Sequence, residues 1–217
     1  MHILFPRRFA VSMTVIIMAA SASAQTTRLA FDFTGTDPAR NLPWTKTSVR
    51  EASLTTEGWR FGSGVSLVTA RNDRLAFSVS SDANLSTLAQ AKSNNAYLYV
   101  RIAASSGALN AANNRVRFTI RRESWHAPLQ YAVFSSVDNY ASPLFTTPLL
   151  DNADDATDAF TFLIPSTGYS SISGPLELRI YAYSARYSGH AASLTAFSLG
   201  SAVQTYTLTT STGYGGS

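Results

Sequence analysis

The residue types that could carry chemistry are few and widely spaced. The chain has no cysteine, which excludes disulfides, thiolate metal sites and a cysteine nucleophile. Its three histidines are His2, His126 and His190. His126 and His190 fall in separate loops, without the i, i+4 or short-gap spacing that marks a metal-binding pair. No G-x-S-x-G presents a serine nucleophile, so a triad would have to be assembled from distant segments. Glycoside cleavage needs two carboxyl groups a few ångströms apart, and on a strand these come from alternate positions. Glu177 has Pro175 and Arg179 at those positions, Glu123 has Arg121, and Asp32 has Ala30 and Thr34. No strand offers a pair.

Two features remain. The run Asp151-Asn152-Ala153-Asp154-Asp155-Ala156-Thr157-Asp158 is the densest charge feature. Its carboxylates Asp151, Asp154, Asp155 and Asp158 could hold a structural Ca²⁺, which accepts oxygen ligands in flexible geometry. The run lacks the spacing and central glycine of an EF-hand, and a solvated turn that deters edge pairing explains it equally. The second feature is aromatic. Tyr181, Tyr183 and Tyr187, with Trp125, its neighbour His126 and Tyr140, could build a sugar-stacking platform on a sheet face or rim. The alternative is that Tyr181 and Tyr183 cover an outer sheet face or pack under a loop.

The elements that would position these side chains are strands. Residues 115–121 (RVRFTIR) put Val116, Phe118 and Ile120 on one face and Arg115, Arg117, Thr119 and Arg121 on the other, the period-two pattern of a half-buried antiparallel strand. In 176–183 (LELRIYAY), Leu176, Leu178, Ile180 and Ala182 oppose Glu177, Arg179, Tyr181 and Tyr183. Segments 28–34, 58–61, 65–69, 74–80, 97–102, 130–136, 160–164, 193–199 and 203–208 also read as strands. The single helix is expected over 84–92, capped by Ser81 or Asp82 and striped by Leu85, Leu88 and Ala89. Serine (29) and threonine (23), both poor helix formers, make up about a quarter of the 217 residues. The expectation is an all-β, antiparallel two-sheet β-sandwich with one short helix.

Residues 1–24 read as a secretory signal: Arg7 and Arg8, an apolar stretch from Phe9 to Ala20, then Ser21-Ala22-Ser23-Ala24. That order predicts cleavage before Gln25, and about 12 apolar residues fall short of a membrane span. The sandwich is expected over 25–208, followed by a flexible tail at 209–217, TTSTGYGGS. With the signal removed, the mature chain is expected outside the cytoplasm, secreted, surface-bound or periplasmic, and no later segment is long and apolar enough to span a bilayer. Without Arg7 and Arg8 the chain keeps 15 basic and 13 acidic residues. The basic residues are scattered apart from Arg115, Arg117, Arg121 and Arg122, so no nucleic-acid partner is expected.

Three blocks resemble a known family. They are 115–144 (RVRFTIRRESWHAPLQYAVFSSVDNYASPL), the 160–164 strand after the acidic loop, and 176–201 (LELRIYAYSARYSGHAASLTAFSLGS). Together they resemble a jelly-roll sandwich family of secreted bacterial proteins, many of which carry a PEP-CTERM-type sorting tail. The resemblance implies a jelly-roll fold. This chain departs from the family pattern at Thr195-Ala196, where the family has Asp-Asn, which weakens the calcium reading. It also shows no Pro-Glu-Pro sorting tail, so release or periplasmic residence is expected rather than covalent sorting. The functional expectation is a secreted, non-enzymatic binding or structural module with polysaccharide as partner. The rivals are a polysaccharide lyase or hydrolase, in which His126 and His190 would matter, and a self-associating matrix protein.

Overall fold

The computed structural model describes residues 26–35, 42–68, 73–79, 85–151, 153–185 and 191–201. The segments read as signal and tail, together with Tyr187, His190 and the 203–208 strand, lie outside the described residues. So do the proposed helix caps Ser81 and Asp82.

Twelve strands and one helix follow in chain order: β1 Thr27–Phe31, β2 Thr47–Arg50, β3 Leu54–Phe61, β4 Val65–Leu67, β5 Leu75–Val79, α1 Leu88–Ser93 and β6 Tyr97–Ala104, then β7 Asn114–Arg122, β8 Gln130–Ser135, β9 Phe145–Thr146, β10 Thr157–Leu163, β11 Leu176–Tyr183 and β12 Ala191–Ser201. They form two antiparallel sheets. One has seven strands, in the order β10-β7-β12-β1-β2, with β5 also pairing β12 and β4 pairing β5. The other has five, in the order β3-β6-β11-β8-β9. From β5 onward the chain passes repeatedly from one sheet to the other, as a jelly-roll sandwich requires. No helix among the described residues is long and apolar enough to cross a membrane.

Alternation accounts for the core. Val116, Phe118 and Ile120 on β7 face Leu178 and Ile180 on β11 across the sandwich, and all five are buried. At one end Trp59 meets Phe197 edge-on at 4.9 Å and Phe31 at 6.0 Å. At the other, Phe118 packs on Phe160 at 5.2 Å, and Phe145 stacks on Phe162 at 5.3 Å. Gly58 lies at a bulge between β3 and β6 with φ +80°. A Cβ there would meet the Trp44 carbonyl oxygen at 2.5 Å, so only glycine lets the Trp44 segment bridge to Trp59.

The helix differs from expectation. It begins at Leu88, not residue 84, because Thr87 and Gln90 form a reciprocal capping box: the Thr87 hydroxyl accepts from the Gln90 amide, and the Gln90 side chain accepts from the Thr87 amide. Leu85 is buried just ahead of it, outside the helix.

Candidate functional site

The outer face of the five-stranded sheet brings tyrosine, arginine and glutamate side chains together. Register places them. Across β6 and β11, Tyr97 faces Tyr181, Tyr99 faces Arg179 and Arg101 faces Glu177. Across β3 and β6, Arg60 faces Tyr99 and Gly58 faces Arg101. Because strands lie about 4.8 Å apart and same-face residues about 6.8 Å apart along a strand, these side chains form one contiguous patch.

Half of that face is covered. The α1 helix packs on β11, and Lys92 holds its ammonium 4.5 Å above the Phe134 ring while donating to the Tyr140 carbonyl at 2.8 Å. Under this cover Phe134, Tyr181 and Tyr183 are buried, with Phe134 and Tyr181 edge-on at 5.4 Å. Tyr181 and Tyr183 therefore do not form the open platform expected from the sequence. They point outward from the sheet as the alternation requires, but a helix lies over them.

The open half is organised by one carboxylate. Glu177 is 4% exposed, and its two oxygens accept from Arg179 Nε and Tyr140 Oη (both 2.7 Å to Oε1) and from Arg101 Nε (2.7 Å to Oε2). Burial alone would raise this carboxyl, but the Tyr140, Arg101 and Arg179 donors together hold it below its ordinary 4.5. Burial, and then the bond to Glu177, push the Tyr140 phenol upward, so it remains a neutral donor. The Arg179 guanidinium is sandwiched between two rings, 3.6 Å from the Tyr140 centroid and 4.5 Å from that of Tyr97. To reach this position the chain adopts left-handed backbone at two successive residues, Asn139 (φ 55°) and Tyr140 (φ 57°). For a tyrosine this is unusual and costs on the order of 1–2 kcal/mol. The Tyr140 contacts with Glu177 and Arg179 offset it.

The least covered rings of this half are Tyr97 and Tyr99, both half-buried and 5.8 Å apart; Arg179 lies against Tyr97, while Tyr99 is flanked by Arg60 and by Arg101, whose guanidinium lies 5.8 Å from its ring. Arg101 also reaches the exposed Glu57 at 3.2 Å. A shallow hollow of about 410 Å³ adjoins the patch, lined by Leu42, Pro43, Arg60, Phe61 and Tyr99 among others. A larger groove of about 980 Å³ lies at the end of the seven-stranded sheet, but its central charge is already engaged: Arg28 is paired with Glu51 and donates to the Asn110 carbonyl and Asn114 Oδ1.

Of the residues singled out in the sequence, Tyr140 lies in the site. Trp125 and His126 do not join it. They precede β8 and Tyr140 follows it, which separates them by the length of a six-residue strand, about 20 Å. Trp125 is 45% exposed and lies 3.5 Å, centroid to centroid, from His126. In the acidic loop the Asp151 and Ala153 carbonyls accept from the fully buried Arg122, which also donates to the Trp125 and Ala127 carbonyls. Asp155 pairs outward with Arg121 at 2.7 Å. Among the described residues no three carboxylate or imidazole groups gather closely enough for a metal. Asp151, Asp154, Asp155 and Asp158 are among those that do not gather.

The sequence matches no family model and no curated protein. Among solved structures it is similar to a xylan-binding module, CBM15, at 10% identity and TM-score 0.45, over 70% of this chain and 98% of that one. It is also similar to part of an arabinose-bound α-L-arabinofuranosidase at 14% identity and TM-score 0.45, over 84% of this chain and 27% of the enzyme. The K3 cleaved adhesin domain of Lys-gingipain from Porphyromonas gingivalis aligns at 14% identity and TM-score 0.34, over 48% of this chain and 64% of that domain.

Proposed function

We propose that this is an exported, non-enzymatic module that binds a polysaccharide on the open half of its five-stranded sheet. The observation that carries the reading is the pair Tyr97 and Tyr99, held on a sheet strand beside a hollow and bordered by guanidinium groups. Aromatic faces stack on sugar rings while neighbouring polar groups meet the hydroxyls. The carboxylates support binding over cleavage. Glu57 and Glu177 both reach Arg101, but Glu177 is kept ionised with both oxygens occupied, whereas a general acid must start protonated.

Affinity electrophoresis against a panel of soluble glycans tests the proposal. Stacking contributes about 0.5–1.5 kcal/mol per ring, so dissociation constants in the micromolar-to-millimolar range are expected. Tyr99→Ala should weaken retention about 2- to 10-fold, and Trp125→Ala should leave it unchanged. Failure of every glycan to retard the protein defeats the proposal. Release of new reducing or unsaturated sugar ends would replace it with the hydrolase or lyase reading.

A further inference from the structure

We infer that the glycan is acidic, with a carboxylate or sulfate ester meeting Arg60 and Arg101 while its ring stacks on Tyr99. This rests on the glycan-binding reading above. Arg60 is exposed, lies directly opposite Tyr99 and lines the hollow, yet it makes no hydrogen bond or ion pair with any described residue. Among the described residues its charge is therefore uncommitted, and it stands where the half-buried Tyr99 ring borders the hollow. Arg101 is the second arm. Its Nε is fixed by buried Glu177, which orients the guanidinium plane, and its Nη1 is held only by Glu57, whose side chain is 50% exposed at 3.2 Å. An exposed pair of that kind is worth little, so a ligand anion can displace Glu57 without disturbing the Glu177 anchor.

The charge inventory of the patch agrees. Three guanidinium groups (Arg60, Arg101, Arg179) share the open half with two carboxylates, and both carboxylates already pair with Arg101. An incoming anion thus meets net positive charge with unused planar donors, the arrangement that suits bidentate binding of carboxylate or sulfate. Arg60, one strand across from Tyr99, and Arg101, two residues along, are each within about 7 Å of it. A pyranose on the ring can present its acidic substituent to both. Without residues 1–24 the chain carries 15 basic and 13 acidic residues, so general basic attraction is small beside the charge gathered at this patch.

The test compares polygalacturonate with its fully methyl-esterified form, which has the same backbone without the charge, and adds dextran sulfate and neutral dextran. In low-salt affinity electrophoresis, polygalacturonate or dextran sulfate should retain the protein about tenfold more strongly than its neutral counterpart, the effect of one charge-assisted contact. Whichever pair shows the difference identifies the anion. Arg60→Ala should abolish the difference and Arg60→Lys should restore only part of it, because lysine lacks the fork. Arg117→Ala, which removes an exposed charge from the opposite sheet, should leave the difference intact. Equal retention by charged and neutral forms overturns the inference and leaves glycan binding standing. Equal losses from Arg60→Ala and Arg117→Ala overturn it in favour of nonspecific charge. No retention by any polymer removes the glycan-binding reading itself.

Discussion

Replacing Glu177 with glutamine tests whether the site is held together by its buried carboxylate. The side chain is 6% exposed, against 23% for Arg179 and 42% for Arg101. Glutamine keeps the shape and can still accept from Tyr140 and Arg179 through one oxygen, but its NH₂ would face the Arg101 Nε donor now 2.7 Å from Oε2. Removing one member of a buried ion pair costs roughly 3–5 kcal/mol. Arg101 is more than a third exposed and can turn to water or to Glu57, so the expected loss is about 2–3 kcal/mol. In urea at pH 7 that corresponds to a fall in midpoint of about 1 M for a typical slope. The folded Glu177 pKa lies below 4.5. Its stabilisation is therefore fully present above about pH 4.5 and fades as pH falls through the folded value. Wild type and variant should converge as pH falls below the folded Glu177 value. A midpoint shift under about 0.2 M at pH 7, or a difference that widens on acidification, would refute the argument.

Phe118→Ala should cost about 3–5 kcal/mol by chemical denaturation, since the ring is fully buried against Phe160; a cost below about 1 kcal/mol would place the residue on the wrong face. Arg122→Met should cost about 3–5 kcal/mol, because the Asp151, Ala153, Trp125 and Ala127 carbonyls lose their shared donor. Hydrogen exchange should then accelerate in residues 123–129 and 150–156, and unchanged protection there would contradict the stitching role.

Strands with strict alternation of residue type were legible: the apolar face of β7 is the buried one, and residues 176–183 match β11 end to end, although there the outer face is covered as well and only Arg179 is not buried. What alternation does not reveal is a strand with no buried face or almost no length. The edge strand β2 (TSVR) has no buried residue, and β9 is two residues long; neither carries a period to read. Arg74 shows the converse failure. Its charge assigns it to the solvent face, yet it is 7% exposed because Glu123, itself buried, lies 2.9 Å from its Nε. A partner 49 residues away leaves no mark on the local pattern.

The candidate site divides along the same line. The alternation of β6 already sets Tyr97, Tyr99 and Arg101 on one face, and that of β11 sets Glu177 and Arg179 on one face. Attention to the aromatic-rich C-terminal block instead favoured Tyr181 and Tyr183, and nothing in their own strand announces that α1, about 90 residues earlier, covers them. Alternation within single strands also does not show that Glu57 on β3 and Glu177 on β11 share a partner, because Arg101 on the intervening β6 reaches both. The side chain that both carboxylates share is an arginine, and with Tyr140 and Arg179 it holds Glu177 in its charged form. The residues around that carboxylate are thereby fixed into a positively edged aromatic surface, which no single strand of the sequence displays by itself.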